Sequence, residues 1–106
     1  MQDSISSQNF LYRLGDSQDD FCMIDVRSAY EVKELCLPAD PRIQYIEMSD
    51  IPAKTKTLSK EKDILVLCLS GARSWQVVQF LNAQGFRCQN IEGGIQEVLF
   101  LKNLQA

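Results

Sequence analysis

Four short apolar stretches recur along the chain, separated by polar or turn-forming residues. Residues 21–26 and 63–68 are almost continuously apolar, which is typical of strands buried on both faces of a parallel sheet. Residues 44–48 and 87–91 form shorter and more mixed stretches. The pattern therefore predicts four strands, and the signal is strongest over residues 63–68.

Helix signals occupy the segments between these strands. Ser6 or Ser7 is placed to cap a short first helix, which Gly15 would end in a left-handed turn. Gly85 takes the stop position of a longer helix whose valines and a leucine share one face. After the first helix, the predicted helices span residues 28–34 (capped by Ser28), 73–84 and 95–104.

The alternation of strands and helices at short spacing predicts the α/β class, with a parallel sheet and helices on both faces. A chain of 106 residues is long enough for one such domain and too short for two, so we expect residues 1–106 to form a single unit. In sheets of this kind, binding and catalytic groups collect beyond the carboxyl ends of the strands. The loops after Val26 and after Leu67 are therefore the candidate site.

Charge and hydropathy exclude two classes of partner. The chain has 11 Lys and Arg against 14 Asp and Glu, a net charge of −3, and it has no basic cluster to bind phosphates. We therefore expect no nucleic-acid partner. No apolar run approaches about 18 residues, and the start lacks a basic segment before an apolar one, so we expect no membrane insertion and a cytoplasmic location.

Cysteines are the other chemically informative residues. The four, at positions 22, 36, 68 and 88, lie far apart, and the chain has no histidine. This spacing offers no set of metal ligands, so we expect neither a metal nor another cofactor, and free thiols in a reducing compartment. Because neither a Cys–His nor a Ser–His pair can form, a reactive cysteine needs another means of activation.

Cys68 has such a means, because it ends the strongest strand and begins a loop that leads into a helix. A thiol with an ordinary pKa of about 8.5 becomes more acidic when it faces a helix N-terminus, free amide groups or a cation. The loop over residues 69–73 can direct its amides at the sulfur, Gly71 permits the necessary backbone conformations, and Arg73 opens the helix. The pattern favours an anion-binding nest for a thiolate or persulfide over an inert, buried cysteine.

The segment Cys68-Leu69-Ser70-Gly71-Ala72-Arg73-Ser74 resembles the active loop of rhodaneses, in which a cysteine opens a loop that Arg-Ser closes. Ile24-Asp25-Val26-Arg27 is similar to the Asp-x-Arg strand end of that family, and Glu31 matches its following acidic position. Gly85-Phe86 and Glu92-Gly93-Gly94-Ile95 extend the likeness, which covers roughly residues 4–98 in the expected order.

The resemblance implies a five-stranded parallel sheet flanked by helices on both faces, and a sulfurtransferase. We also expect the protein to act as a monomer. Cys68 would take a sulfane sulfur from thiosulfate, or from a persulfide on a protein or small molecule. It would pass that sulfur, as a Cys68 persulfide, to a thiophilic acceptor. The implied loop residues are Leu69, Ser70, Gly71, Ala72, Arg73 and Ser74, and the implied supporting residues are Asp25, Arg27 and Glu31.

The supporting residues also have simpler structural roles. We expect Arg73 to brace the loop by reaching Asp25 or Glu31, and we expect Asp25 and Arg27 to form an ion pair at a strand end. Ser74 is expected to cap the helix, with donation to the bound sulfur as the alternative.

Two departures from the rhodanese pattern bear on substrate and mechanism. Residues 35–40 replace the common Gly-His-Ile-Pro-Gly-Ala, so Cys36 stands at the histidine position, where it could receive sulfur or form a resolving disulfide. Leu69 is uncharged, whereas relatives that use thiosulfate often carry a basic residue there. Thiosulfate is therefore expected to be a poor donor.

Two other functions remain open. Cysteine phosphatases and arsenate reductases build a similar nest, but with five residues between cysteine and arginine, whereas only residues 69–72 separate them here. The shorter loop should suit a single sulfur better than a tetrahedral phosphate. A non-catalytic rhodanese-like module would instead present the fold to a partner without turnover, which Leu69 and the apolar final helix favour.

Overall fold

Five parallel strands form one sheet within residues 2–105, the part of the chain that this computed structural model describes. Their order across the sheet is β1-β5-β4-β2-β3, which puts β4 at the centre. The register aligns Val66 of β4 with Ile24 of β2 and with Asn90 of β5, so these three strands end side by side. The strands are β1 (Ser4–Ile5), β2 (Cys22–Asp25), β3 (Ile43–Tyr45), β4 (Asp63–Leu67) and β5 (Arg87–Ile91).

Helices cover both faces of the sheet. Ile64 and Val66 of β4 belong to the core beneath α3 and α4, whereas Leu65 and Leu67 belong to the core beneath α1 and α5. The predicted α/β class, with a five-stranded parallel sheet between helices, is thus confirmed. None of the helices within the described residues is long and apolar enough to span a membrane. The helices are α1 (Ser7–Leu14), α2 (Ala29–Glu34), α3 (Ile51–Lys54), α4 (Ala72–Asn82) and α5 (Gly94–Gln105), and the 3-10 turns Met48–Asp50 and Thr55–Thr57 flank α3.

The fifth strand, β1, was not predicted from the hydrophobic pattern, and neither was the short helix α3. The strand β1 has two residues, too few to show an alternation, and it exists because it pairs with β5: Ser4 lies opposite Asn90 and Ile5 opposite Ile91. The strand predicted over residues 44–48 begins one residue earlier and ends at Tyr45. Pairing with distant strands, rather than local sequence, determines where β1 and β3 begin and end.

The predicted left-handed turn at Gly15 is wrong. Gly15 has a φ of −71°, in the right-handed helical region, so α1 simply ends in a tight turn. The reason is Arg42, whose guanidinium donates to the backbone oxygens of Leu14 (2.8 Å) and Asp16 (2.8 Å). Because a side chain from the segment before β3 satisfies carbonyls at and just after the helix end, no glycine cap is needed there.

Candidate active site

Cys68 lies one residue beyond β4, at the carboxyl edge of the central strand. Its side chain is 1% exposed and belongs to the core cluster under α4. Next to it, Val26 at the end of β2 donates its N–H to the backbone oxygen of Leu67 at 3.0 Å. The two loops selected from the sequence therefore start from adjacent points on the same sheet edge.

Three groups of the loop lie within hydrogen-bonding distance of the Cys68 sulfur. The N–H of Gly71 donates to Sγ at 3.1 Å and the N–H of Ser74 at 3.4 Å. The hydroxyl of Ser74 lies 3.2 Å from the same sulfur. Gly71 has a φ of +108°, a conformation that residues with a side chain rarely adopt, and this turns the chain around the sulfur. The loop thus has the geometry of an anion-binding nest.

These donors make Cys68 more acidic in spite of its burial. Burial by itself raises the pKa of the Cys68 thiol, because it disfavours the charged form. Hydrogen bonds from the hydroxyl and N–H of Ser74, and from the N–H groups of Gly71 and Ser70, lower the pKa and outweigh burial. The net result is a pKa below the ordinary value of a thiol, achieved without histidine.

The N-terminus of α5 keeps the loop amides turned inward. Its N–H groups bind the outward-facing carbonyls: Ile95 donates to the oxygen of Cys68 at 2.9 Å, and Gln96 donates to that of Leu69 at 3.2 Å. Gly94 makes this approach possible, because a Cβ at that position would overlap the carbonyl of Leu69. Glycine is thus required at position 94 by its lack of a side chain as well as by its φ of +62°.

Ser74 does not cap α4, contrary to the sequence-based expectation. The helix begins at Ala72, one residue earlier than predicted, and Gly71 occupies the cap position. Ser74 is therefore the third helical residue, fully buried, with its hydroxyl turned toward Cys68 and 3.2 Å from the backbone oxygen of Gly71. The alternative role, donation toward the sulfur, matches this geometry.

Asn90 is a residue of the site that sequence reasoning missed. It lies near the end of β5, is 6% exposed, and donates from Nδ2 to the backbone oxygen of Gly71 at 3.2 Å. Its Oδ1 contacts the hydroxyl of Ser74. A carboxamide near the carboxyl end of a buried strand next to β4 was the signal that could have identified it.

Arg73 braces the loop against α2. Its guanidinium forms two parallel hydrogen bonds with Glu31, each 2.7 Å long, so of the two expected partners the structure shows Glu31. Glu31 also accepts from the N–H of Ser28 at 3.2 Å in the capping box of α2. The hydrogen bonds from Arg73 lower the pKa of the Glu31 carboxyl to about 2, against a smaller opposing effect of burial.

Asp25 and Arg27 form a buried ion pair where β2 ends. The Arg27 guanidinium donates to Asp25 at 2.8 Å and 3.0 Å, and each residue is 2% exposed. Arg27 also lies 3.4 Å from the backbone oxygen of Glu31, so the pair holds the start of α2 against the sheet. As expected from sequence, this arrangement supports the site without touching the sulfur.

The remaining candidates lie at the rim or outside the site. Leu69 is half-buried against the core under α5, while Ser70 and Ala72 are exposed. Cys36 is exposed after α2, and it is not among the hydrogen-bond partners of the Cys68 sulfur within residues 2–105. Over the same residues, no group of three or more side chains is arranged to hold a metal ion.

Sequence comparison places this architecture in a known family. The model of the rhodanese-like domain matches residues 7–99. The chain belongs to the rhodanese-like domain family.

Relatives of this chain indicate the general kind of chemistry that it performs. YtwF of Bacillus subtilis (strain 168), provisionally named a sulfurtransferase, is 40% identical over 80 residues, which cover 76% of this chain and 75% of YtwF. A protein of Allochromatium vinosum named sulfurtransferase is 32% identical over 96 residues, covering 90% of this chain and 86% of that protein. These relatives support sulfur transfer of the rhodanese type as the general activity.

Solved structures agree on the fold. A crystal structure of a protein from Staphylococcus saprophyticus superimposes with a TM-score of 0.80 at 28% identity, covering 92% of this chain and 93% of that one. A rhodanese-like domain protein from Staphylococcus aureus gives the same TM-score of 0.80 and identity of 28%, covering 92% and 91%.

Proposed function

We propose that this protein carries a sulfane sulfur as a persulfide on Cys68 and transfers it to a thiophilic acceptor. The observation that carries the proposal is the convergence of two N–H groups and one hydroxyl on Sγ, at 3.1, 3.4 and 3.2 Å. An inert structural cysteine needs no such donors. A sulfur that is negatively charged before and after each transfer does need them.

The reaction proceeds in two displacements. The Cys68 thiolate attacks the sulfane sulfur of the donor, so that a bond forms between Sγ and that sulfur while the S–S bond of the donor breaks. The leaving group takes the electron pair and departs as sulfite from thiosulfate, or as a thiolate from a persulfide. A nucleophilic acceptor then attacks the outer sulfur, and Cys68 leaves as a thiolate that the same loop stabilises.

The electrostatics of the loop favour a persulfide as donor over thiosulfate. Arg73 is engaged by both oxygens of Glu31, which compensates its charge, and Leu69 is uncharged. The dianion thiosulfate therefore finds few positive charges beside Cys68 to compensate its own. The persulfide group of a persulfide donor carries at most one negative charge. All four cysteines are free thiols, which suits a sulfur carrier working with thiol acceptors in the cytoplasm.

The direct test is mass spectrometry of the protein after incubation with glutathione persulfide or thiosulfate. We expect an adduct of one sulfur atom that maps to Cys68 and is removed by cyanide or a thiol. The Cys68→Ser variant should lose the adduct, and the matched variant Cys88→Ala, which removes another buried cysteine, should keep it.

Two results would overturn the proposal. A folded protein that forms no Cys68 adduct with either donor would be a non-catalytic binding module. Hydrolysis of p-nitrophenyl phosphate that disappears in Cys68→Ser would instead identify a cysteine phosphatase.

A further inference from the structure

The hydroxyl of Ser74 has one proton and three acceptors within reach. These are the sulfur of Cys68 at 3.2 Å, the backbone oxygen of Gly71 at 3.2 Å, and Oδ1 of Asn90. Gly71 already accepts from the N–H of Trp75 and from Nδ2 of Asn90, each at 3.2 Å. The effective competition for the proton is therefore between the sulfur and Asn90.

The carboxamide of Asn90 can face this network in only one orientation. The backbone oxygen of Gly71 is an acceptor alone, so the atom of Asn90 that lies 3.2 Å from it must be the NH₂ group. This leaves Oδ1 toward Ser74. Among residues 2–105, Ser74 is the only hydrogen-bond donor to that buried oxygen.

The protonation state of Cys68 decides which acceptor receives the proton. When Cys68 is a thiol, its S–H can donate to the oxygen of Ser74, and Ser74 donates to Asn90, so every polar group is satisfied. When Cys68 is a thiolate or persulfide, Ser74 must turn to the sulfur, and Oδ1 of Asn90 loses its donor. Leaving a buried acceptor without a partner is costly, so Asn90 opposes ionisation of the sulfur.

The geometry points to Asn90 as a positioning residue that competes with the Cys68 sulfur for the hydroxyl proton of Ser74. This inference rests on the proposed role of Cys68 as the sulfur carrier. Asn90 would shift the free enzyme toward the less reactive thiol form, against the donors of the loop, and would release the hydroxyl when the sulfur becomes charged. Its oxygen thereby tunes how readily the carrier accepts and gives up sulfur.

Charged groups near the sulfur come from three elements: α4, α2 and the end of β2. Arg73 of α4 lies close enough to Cys68 for their charges to interact, and it is paired with Glu31 of α2. Asp25 and Arg27 at the end of β2 form their own buried pair. The residues that bind the loop from β5 and α5 are uncharged: Asn90, Gly94, Ile95 and Gln96. The competition over the Ser74 proton therefore acts on a constant electrostatic background.

The test measures the pH midpoint for alkylation of Cys68 by iodoacetamide, read from the mass of its peptide, in four proteins. In Asn90→Leu, which is nearly isosteric and has no acceptor, the freed hydroxyl should lower the midpoint by about one pH unit. In Ser74→Ala, the midpoint should rise. In the double variant it should match Ser74→Ala, because Asn90 acts only through the missing hydroxyl.

Other outcomes would overturn the inference. A midpoint that rises or stays constant in Asn90→Leu contradicts the competition, and an equal fall in the Ser74→Ala background shows that Asn90 acts by another route. If Asn90→Leu does not fold, Asn90→Val removes the same acceptor with a smaller side chain suited to a strand. Since alkylation needs no sulfur donor, the result is independent of whether Cys68 forms a persulfide.

Discussion

Cys68 lies just beyond β4 and Cys88 lies within the neighbouring strand β5; both are buried, yet their chemistry is opposite. Cys88 is 0% exposed within β5, where burial, together with the nearby Cys22, raises the pKa of its thiol to about 12. Cys68 is equally inaccessible at 1%, but its pKa is lowered. The N–H of Cys88 donates to Oδ1 of Asn82 at 2.8 Å, whereas the N–H groups of Gly71 and Ser74, beyond the end of β4, donate to the sulfur of Cys68. Position relative to the strand end, rather than burial, decides which thiol is reactive.

Alkylation of the native protein should show the largest contrast. At about pH 8, a thiol with a pKa of about 12 is ionised to roughly one part in ten thousand, whereas the lowered pKa of Cys68 keeps a far larger fraction of that thiol ionised. We expect iodoacetamide to modify Cys68 at least about a thousandfold faster than Cys88. Peptide mass spectrometry over time measures both rates. In guanidinium the two rates should converge, and a contrast that persists there would show that the fold is not its cause.

Gly94→Ala should weaken the contrast by disturbing Cys68 alone. The added Cβ overlaps the Leu69 carbonyl, so the loop must shift and its amides leave the sulfur. We expect a loss of about 2–3 kcal/mol of stability and a higher alkylation midpoint for Cys68. Gly15→Ala is the matched control: its Cβ would meet only ordinary contacts at 3.5 and 3.7 Å, so stability should stay within about 0.5 kcal/mol. Equal effects in urea unfolding of the two variants would contradict the role of Gly94.

The stability of the protein at alkaline pH should reveal the raised pKa of Cys88. Because the folded pKa of Cys88 is about 12, the unfolded chain ionises this thiol first, and stability falls as pH rises above the unfolded pKa. The loss is at most about 1.4 kcal/mol per pH unit. Cys88→Val cannot ionise and should lose less stability than the wild type between about pH 9 and 11 in urea titrations. Cys36→Ser, which removes an exposed thiol, is the control. A Cys88→Val profile parallel to that of the wild type would show that Cys88 ionises equally in both states.

Of these variants, Glu31→Gln should have the smallest effect on the free energy of unfolding. The folded pKa of Glu31 is about 2, so its contribution is present above the unfolded pKa of about 4.3 and is lost as pH falls toward 2. The ion pair with Arg73 is partly exposed, so we expect Glu31→Gln to lower the free energy of unfolding by about 0.5–1 kcal/mol at neutral pH. This loss should disappear near pH 2. Urea unfolding at both pH values measures it. A cost that is unchanged in acid would assign the effect to packing instead of charge.

Much of the fold follows from local sequence. Buried parallel strands give continuous apolar runs, and caps such as Ser28 lie next to the helices they start, so β2, β4, β5 and α2 could be predicted closely. β1 could not, because two residues carry no periodicity and Ser4–Ile5 is a strand only through its pairing with β5. The helix α1 ends at Gly15 as predicted, but the left-handed conformation expected there was wrong for the same reason, since Arg42 supplies the cap from a distant segment.

The residues of the site also fall into those that a local motif predicts and those that depend on long-range packing. The reactive cysteine, its glycine and the bracing arginine are contiguous, so a short motif was enough to predict them. Asn90 and the close approach of Gly94 to Leu69 depend on how β5 and α5 lie against the loop. Nothing in residues 68–74 specifies these partners. Even Ser74 has a different role from the predicted one, because it lies inside α4 and its hydroxyl faces the sulfur of Cys68.

The hold of α5 on the loop carbonyls has a consequence for the newly made chain. A ribosome delivers Cys68 before it delivers Gly94, Ile95 and Gln96, which pin the backbone oxygens of Cys68 and Leu69 from outside. Until these residues emerge and dock, no hydrogen bonds from α5 hold the loop in the conformation that directs its amides at the sulfur. The nascent thiol then has the reactivity of any free cysteine. The protein is therefore expected to gain its sulfur chemistry only when α5 folds.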